Sequence, residues 1–171
     1  WVIVADVTSD ESMKQAVSKA IEVAKTIDIV VANAGFGVAG EVEQLSIDDY
    51  RRQFETNVFG VLRTIKETVP SLKASRGRLA IVGSVNGYLS LPGISAYAMS
   101  KFSVRALCDA LFHELRPEGI SVTHIAPGFV KSEIRRVNNR GEFKTKAKDP
   151  IPMWLQMESS LAARKIVTAI C

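Results

Sequence analysis

Tyr97 and Lys101 stand four residues apart in ISAYAMSKFSVRAL, and Ser84 lies thirteen residues before the tyrosine. On a helix, positions i and i+4 share one face, so the ammonium is held beside the phenol. A free tyrosine titrates near ~10, and a neighbouring positive charge favours the phenolate. A phenol tuned in this way can give or take a proton in alcohol–carbonyl chemistry, while a serine hydroxyl polarises the same oxygen. Tyr-x-x-x-Lys is a short pattern that chance supplies readily. Its weight depends on the elements that position it.

The 171 residues, 47% of them hydrophobic, are enough for one globular core. No apolar run approaches the ~18–20 residues of a membrane span, and no charged-then-apolar leader opens the sequence. The reading is a soluble, cytoplasmic protein. Cys108 and Cys171 offer neither a disulfide framework nor metal-ligand spacing, and Cys108 reads as a small core residue. The chain opens Trp-Val-Ile-Val-Ala-Asp without a methionine and ends within the helical pattern SSLAARKIVTAIC, which reads as an incomplete fold.

The net charge of +4 is local. Residues 131–149 hold Lys131, Arg135, Arg136, Arg140, Lys144, Lys146 and Lys148 against Glu133, Glu142 and Asp149, and the rest of the chain balances. This segment reads as a solvated loop, as a site for an anionic substrate, or as a nucleic-acid surface. The last is set aside because no aromatics interleave the charges.

Strand and helix patterns alternate along the chain. WVIVA (1–5), IDIVVA (27–32), RLAIVG (78–83) and ISVTHIA (120–126) are continuously apolar runs of strand length. Between them lie a helix from about Met13 to Ala24, with Thr8 and Glu11 at capping-box spacing, and a long helical stretch opened by Ser46 and Asp49 and running to about Ser75. A third helix spans about Ala96–Arg116, and a last one begins near Ser159 or Ser160. This alternation predicts a parallel sheet covered on both faces. Asp6, Asn33, Ser84 and Pro127 then fall at the carboxyl ends of strands, the edge at which open α/β sheets bind ligands.

These residues together resemble the classical short-chain dehydrogenase/reductase family. The matching pieces are Asp6-Val7, Asn33-Ala34-Gly35, Asn57 in NVFG, Ser84, Tyr97 with Lys101, and Pro127-Gly128, in the family's order, over residues 1 to about 132. The stretches NVFGVLRTIKETVPSLK and IVGSVNGYLSLPGISAYAMSKFSV are nearest in tone to members acting on hydroxysteroids and retinoids. The resemblance implies a Rossmann-type doubly wound parallel sheet lacking its first two strands and its last. It implies one partial domain over 1–171, with 129–158 as a substrate lid. Its activity would be NAD- or NADP-dependent interconversion of a secondary alcohol and a ketone or aldehyde.

Carried over, Tyr97 would be general acid in reduction and base in oxidation. Lys101 would lower the phenol's pKa and bind the nicotinamide ribose, Ser84 would hold the substrate oxygen, and Asn57 would interrupt its helix and anchor a water. Asp6 and Val7 would contact adenine; Asn33, Ala34 and Gly35 would line the cofactor; and Pro127, Gly128, Val130 and Ser132 would face the nicotinamide. Ser132 stands where the family usually has threonine. Pro150, Ile151, Pro152, Met153, Trp154 and Leu155 would form an apolar wall of the lid or pack simply. Segments 46–75 and 96–116 would form the face of a homodimer or homotetramer. His113 and His124 read as structural.

Gly35, Gly37 and Gly40 spell G-x-G-x-x-G, but no helix follows at once, so this is not read as the pyrophosphate loop. That loop, and the residue choosing between NAD and NADP, would precede Trp1. A cofactor-binding scaffold without turnover, or an inactive fragment, are the competing readings. Scaffolds on this fold typically lose the tyrosine or lysine, and both are present here.

Overall fold

A computed structural model describes residues 1–134, 137–140, 142 and 151–171. The elements are α1 (Asp10–Ala24), β1 (Ile29–Ala32), α2 (Ile47–Phe54), α3 (Gly60–Ser75), β2 (Arg78–Val82), α4 (Ser95–Leu115), β3 (Ser121–Ile125) and α5 (Ser159–Ile170). The strands form a parallel sheet in the order β1-β2-β3, with Ala32 opposite Ile81 and Ile81 opposite His124. α3 lies on β1 and β2, α4 on β3, and α5 reaches both β2 and β3. The α/β architecture read from the alternating pattern is present.

β2 explains why its sequence is uniformly apolar. Leu79 and Ile81 join the main cluster with Val61, Ile65, Leu72, Val104, Cys108 and Leu111, and Ala80, on the opposite face of the pleat, is equally buried. Burial, with the Asp109 charge beside it, pushes the Cys108 thiol up to about 12, so this cysteine is a core residue as expected.

Two expectations change. WVIVA forms no strand, and Trp1, Val2 and Val4 are 95%, 96% and 93% exposed. A strand exists only with a pairing neighbour, and residues 1–5 find none among the described residues. Asp6 therefore does not stand at a strand end.

The cap of α1 is Ser9, whose hydroxyl accepts from the Ser12 N–H. Thr8 instead bonds Asp6 Oδ1 through its N–H (2.9 Å) and hydroxyl (2.7 Å). A short local turn outcompetes the Thr8–Glu11 box.

The segment 46–75 begins as expected, with Ser46 and Asp49 bonding each other's backbone N–H. A wide π-turn at Glu55–Phe59, centred on Asn57, then interrupts it, where the family resemblance implied an interruption.

In 129–158, residues 135, 136, 141 and 143–150 lie outside the described residues, and with them most of the basic run and Pro150. Of the expected apolar wall, Met153 and Trp154 sit on a one-turn helix, 80% and 82% exposed.

Leu79 is fully buried at the centre of the sheet. Leu79→Ala is expected to lower the unfolding free energy by about 2–5 kcal/mol in urea titrations; a loss below about 1 kcal/mol would contradict this core.

Candidate active site

The first turns of α4 carry Tyr97, Ser100 and Lys101, and their order along the helix decides the site. Lys101 is only 6% exposed, and its Nζ lies 5.8 Å from the Tyr97 ring centroid. The ammonium donates to the Val82 carbonyl at 2.8 Å, which pins it to the last residue of β2. Burial lowers the Lys101 pKa to about 8. The sheet edge and α4 are thus joined through a desolvated lysine directly behind the tyrosine.

Ser84 follows β2 by two residues and is buried. Its Oγ accepts from the Asn86 N–H at 3.1 Å and reaches Asn86 Oδ1 at 3.3 Å, capping a short turn over Val85–Gly87. That turn lies against α4 so closely that a Cβ on Gly87 would fall 2.8 Å from the Lys101 carbonyl oxygen. On the other side, the Val85 N–H donates to the Pro127 carbonyl at 3.0 Å. Ser84, Tyr97, Lys101 and Pro127 therefore belong to one bonded neighbourhood at the carboxyl edge of the sheet.

His124 closes the neighbourhood from below. A Cβ at Gly83 would lie 2.1 Å from its Nε2, so only glycine fits beside this ring. Nδ1 is 3.2 Å from the Tyr88 hydroxyl, and the Arg105 guanidinium lies 4.2 Å from the Tyr88 ring centroid. Nε2 is buried and meets no hydrogen-bonding group among the described residues. Burial holds the His124 pKa below its ordinary value. The Arg105 and Lys101 charges act in the same direction, against Asp109.

The loop leaving β1 is held by two buried carboxamides. Asn57 Oδ1 accepts from the Phe36 N–H, and Nδ2 donates to the Phe36 carbonyl and to Ser100 Oγ, each at 3.1 Å. Ser100 Oγ donates in turn to the Tyr97 carbonyl at 2.7 Å. Gln53 Oε1 accepts from the Val38 N–H at 2.6 Å, and its Nε2 donates to the Phe36 carbonyl at 2.8 Å. A Cβ at Gly35 would stand 3.1 Å from Asn57 Oδ1, so the missing side chain lets this amide approach. Both side-chain ends of Asn57 are thus engaged by protein.

The remaining residues picked from the sequence are placed as follows. Asn33, Ala34 and Gly35 are exposed beyond the carboxyl end of β1. Asp6 is exposed, and its carboxyl is held below the usual range by the Thr8 N–H and hydroxyl. Val7 packs on Gly60, where a Cβ would come within 2.8 Å of Val7 Cγ2. Gly128 is exposed with open space around it, and Ser132 is exposed. Val130 bridges to Met157.

The short chain dehydrogenase family matches residues 1–142, most of the chain. This chain belongs to that family. The 3-ketodihydrosphingosine reductase of Bacteroides thetaiotaomicron is 30% identical over 99% of this chain and 66% of its own length. The trans-4-hydroxycyclohexanecarboxylate dehydrogenase of Sinomonas cyclohexanicum is 35% identical over 80% of this chain and 52% of its own length. The fold superposes on an alcohol dehydrogenase of the archaeon Thermococcus sibiricus, complexed with 5-hydroxy-NADP, with TM-score 0.80 and 26% identity, over 96% of this chain and 66% of that one. The short-chain dehydrogenase chain described here thus spans about half to two thirds of the length of these relatives, and its parallel sheet is that of a Rossmann fold. Among the described residues, no helix is long and apolar enough to cross a membrane.

Gln53, Ser100 and the Gly83–His124 contact escaped the reading of the sequence. Gln53 and Asn57, four apart in QFETN, carried a usable signal: two carboxamides on one side of a helix that must face protein.

His124 also yields a pH expectation. The unfolded histidine takes its proton near ~6.5, whereas the folded one resists it to lower pH. Its contribution to stability is therefore full above ~6.5 and is lost as pH falls through that value towards the folded pKa. Thermal midpoints measured from pH 7.5 to 5 should fall more steeply for the native protein than for His124→Asn; equal slopes would refute the linkage.

Proposed function

We propose that this short-chain dehydrogenase interconverts a secondary alcohol and a ketone or aldehyde with NAD or NADP. The observation that carries the reading is the placement of Tyr97 above the buried Lys101 on α4, with the Ser84 turn laid against the same helix. A nicotinamide cofactor held at the carboxyl edge by Lys101 and the residues after β1 and β3 would supply or accept the hydride. In reduction, Tyr97 gives its phenolic proton to the carbonyl oxygen as negative charge develops there, and Ser84 stabilises that oxygen by a hydrogen bond. In oxidation the proton returns from the alcohol to Tyr97. Lys101, positively charged and desolvated, favours the phenolate and replenishes its proton.

The residues present fit the nicotinamide end of the cofactor. Asn33, Ala34 and Gly35 offer an exposed, small-residue strip, and Gly128 leaves an open approach. Lys101 is the group that would hold the ribose, Asp6 and Val7 would meet adenine, and Pro127, Val130 and Ser132 would flank the nicotinamide. With the Asn57 carboxamide committed to Phe36 and Ser100, the main chain of its widened turn is the part that would hold a relay water. Residues 129–158 serve as the substrate lid. Phe59, Met99, Phe102 and Phe112, apolar and exposed on the helices around 46–75 and 96–116, support a homodimer or homotetramer through that face.

Tyr97→Phe in the full-length protein is expected to cut NAD(P)H-linked turnover of a cyclic ketone by about 10²–10⁴-fold while cofactor binding by fluorescence titration survives. Turnover within about two-fold of native would remove Tyr97 from the chemistry.

Lys101→Met should abolish turnover yet leave the cofactor-free thermal midpoint at pH 7 equal or higher, because a buried charge is removed. Native stability rises between pH 8 and 10.5, where the unfolded lysine holds more protons than the folded one, so the variant's advantage should shrink across that window. A midpoint that drops at pH 7 would show the ammonium to be stabilising.

A further inference from the structure

α2 buries one residue, and that residue is polar. Gln53 is wholly withdrawn from solvent on a helix that otherwise carries Asp48, Asp49, Arg51 and Arg52. An apolar side chain would fill this position without needing partners, whereas a buried carboxamide requires them.

The partners of Gln53 bracket a single glycine. Nε2 donates to the Phe36 carbonyl at 2.8 Å, and Oε1 accepts from the Val38 N–H at 2.6 Å. Those two groups belong to the peptide planes on either side of Gly37. Holding both planes fixes the φ and ψ of the residue type with the most freedom to lose. Asn57 shares the first plane, but among the described residues Gln53 alone bonds the Val38 N–H. The N–H groups beyond are held from elsewhere, Ala39 by Asn139 Oδ1 at 3.1 Å and Gly40 by the Gly93 carbonyl at 2.8 Å.

Gly37 in turn lies against the tyrosine. A Cβ built on it would stand 3.7 Å from Tyr97 Cδ2, so the loop main chain passes the ring edge. The same helix stripe also fixes the backbone of α4. The Tyr50 hydroxyl is 2.7 Å from Ser95 Oγ at the start of α4, and Asn57 reaches Ser100, which bonds the Tyr97 carbonyl. Tyr50, Gln53 and Asn57 thus hold Tyr97 from one side, with Lys101 behind it.

We propose that Gln53 is a positioning residue for Tyr97: by clamping both peptide planes of Gly37 it holds the loop against the ring and sets the direction in which the phenol meets the substrate. The inference rests on the oxidoreductase reading above for its meaning, and its contact geometry does not.

Gln53→Met keeps the length and helix propensity of the side chain and removes both hydrogen bonds. Fluorotyrosine labelling of the full-length protein reads the effect without turnover, because the fluorine resonance missing from Tyr97→Phe belongs to Tyr97. That resonance should shift or broaden in Gln53→Met, while the one assigned to Tyr88 through Tyr88→Phe stays in place. An unmoved Tyr97 resonance would overturn the proposal whatever the protein catalyses. In NADPH-driven reduction of cyclohexanone, Gln53→Met should lower kcat about ten-fold and keep KM for NADPH within about two-fold. An unchanged kcat would sink the proposal as well.

Gln53→Glu carries the test if the methionine variant does not fold. A neutral carboxylic acid offers the acceptor and donor of the amide, whereas a carboxylate has no donor and repels the Phe36 carbonyl. Burial raises the pKa of such a carboxyl. Its kcat relative to native should therefore recover as pH falls from about 9 to about 5.5, and a flat ratio would refute the clamp. Absence of reduction by the native protein, with the Tyr97 resonance still responding, would fault the oxidoreductase reading and leave the positioning of Tyr97 standing.

Discussion

The carboxamide of Asn57 is the constraint on which the carboxyl edge of the sheet depends. It sits fully buried at the centre of a π-turn and bonds both main-chain groups of Phe36, while reaching Ser100 on α4. Three elements are thereby set against one another: the loop leaving β1, the kinked 47–75 helix and the helix carrying Tyr97. A buried amide left without partners costs about 1–3 kcal/mol per orphaned group, so these bonds form together or not at all. The irregular turn follows from that requirement. A wider turn is tolerated in the helix because it lets Asn57 reach the loop, and such turns recur at functional sites.

Beneath this layer the site is held by groups that are costly to bury. Lys101 donates a hydrogen bond to the last carbonyl of β2, and its desolvation lowers its pKa to about 8. His124 packs on Gly83, one residue before Ser84, with a nitrogen that meets no hydrogen-bonding group among the described residues. Neither arrangement is what stability alone would select, since apolar side chains would pack there without penalty. Both lie at the edge of the sheet, supported by the apolar core around Leu79 and Ile81.

Much of this was legible in the sequence for identifiable reasons. Buried parallel strands must be uniformly apolar, so IDIVVA, RLAIVG and ISVTHIA announced themselves, and the Ser46–Asp49 box declared its helix. WVIVA carried the same pattern and was misread as a formed strand, because apolarity records a fitness for pairing and not the presence of a partner. Thr8 and Glu11 had the right spacing for a cap, yet Ser9 took the position once Asp6 engaged Thr8. Caps are decided by competition among short-range acceptors, which spacing alone does not rank.

The sequence by itself determined the alternating α/β order, the parallel sheet and the family, because periodicity and the joint motif set survive without coordinates. Only the tertiary structure decided which polar side chains serve the loop over Tyr97. Gln53, Ser100 and Asn139 lie in unremarkable local contexts, and Asn139 meets Ala39 across a hundred residues. Hydrogen bonds between distant main-chain and side-chain groups leave no periodic trace in a sequence. They exist only where folding has brought an orphaned N–H and a carboxamide to the same point.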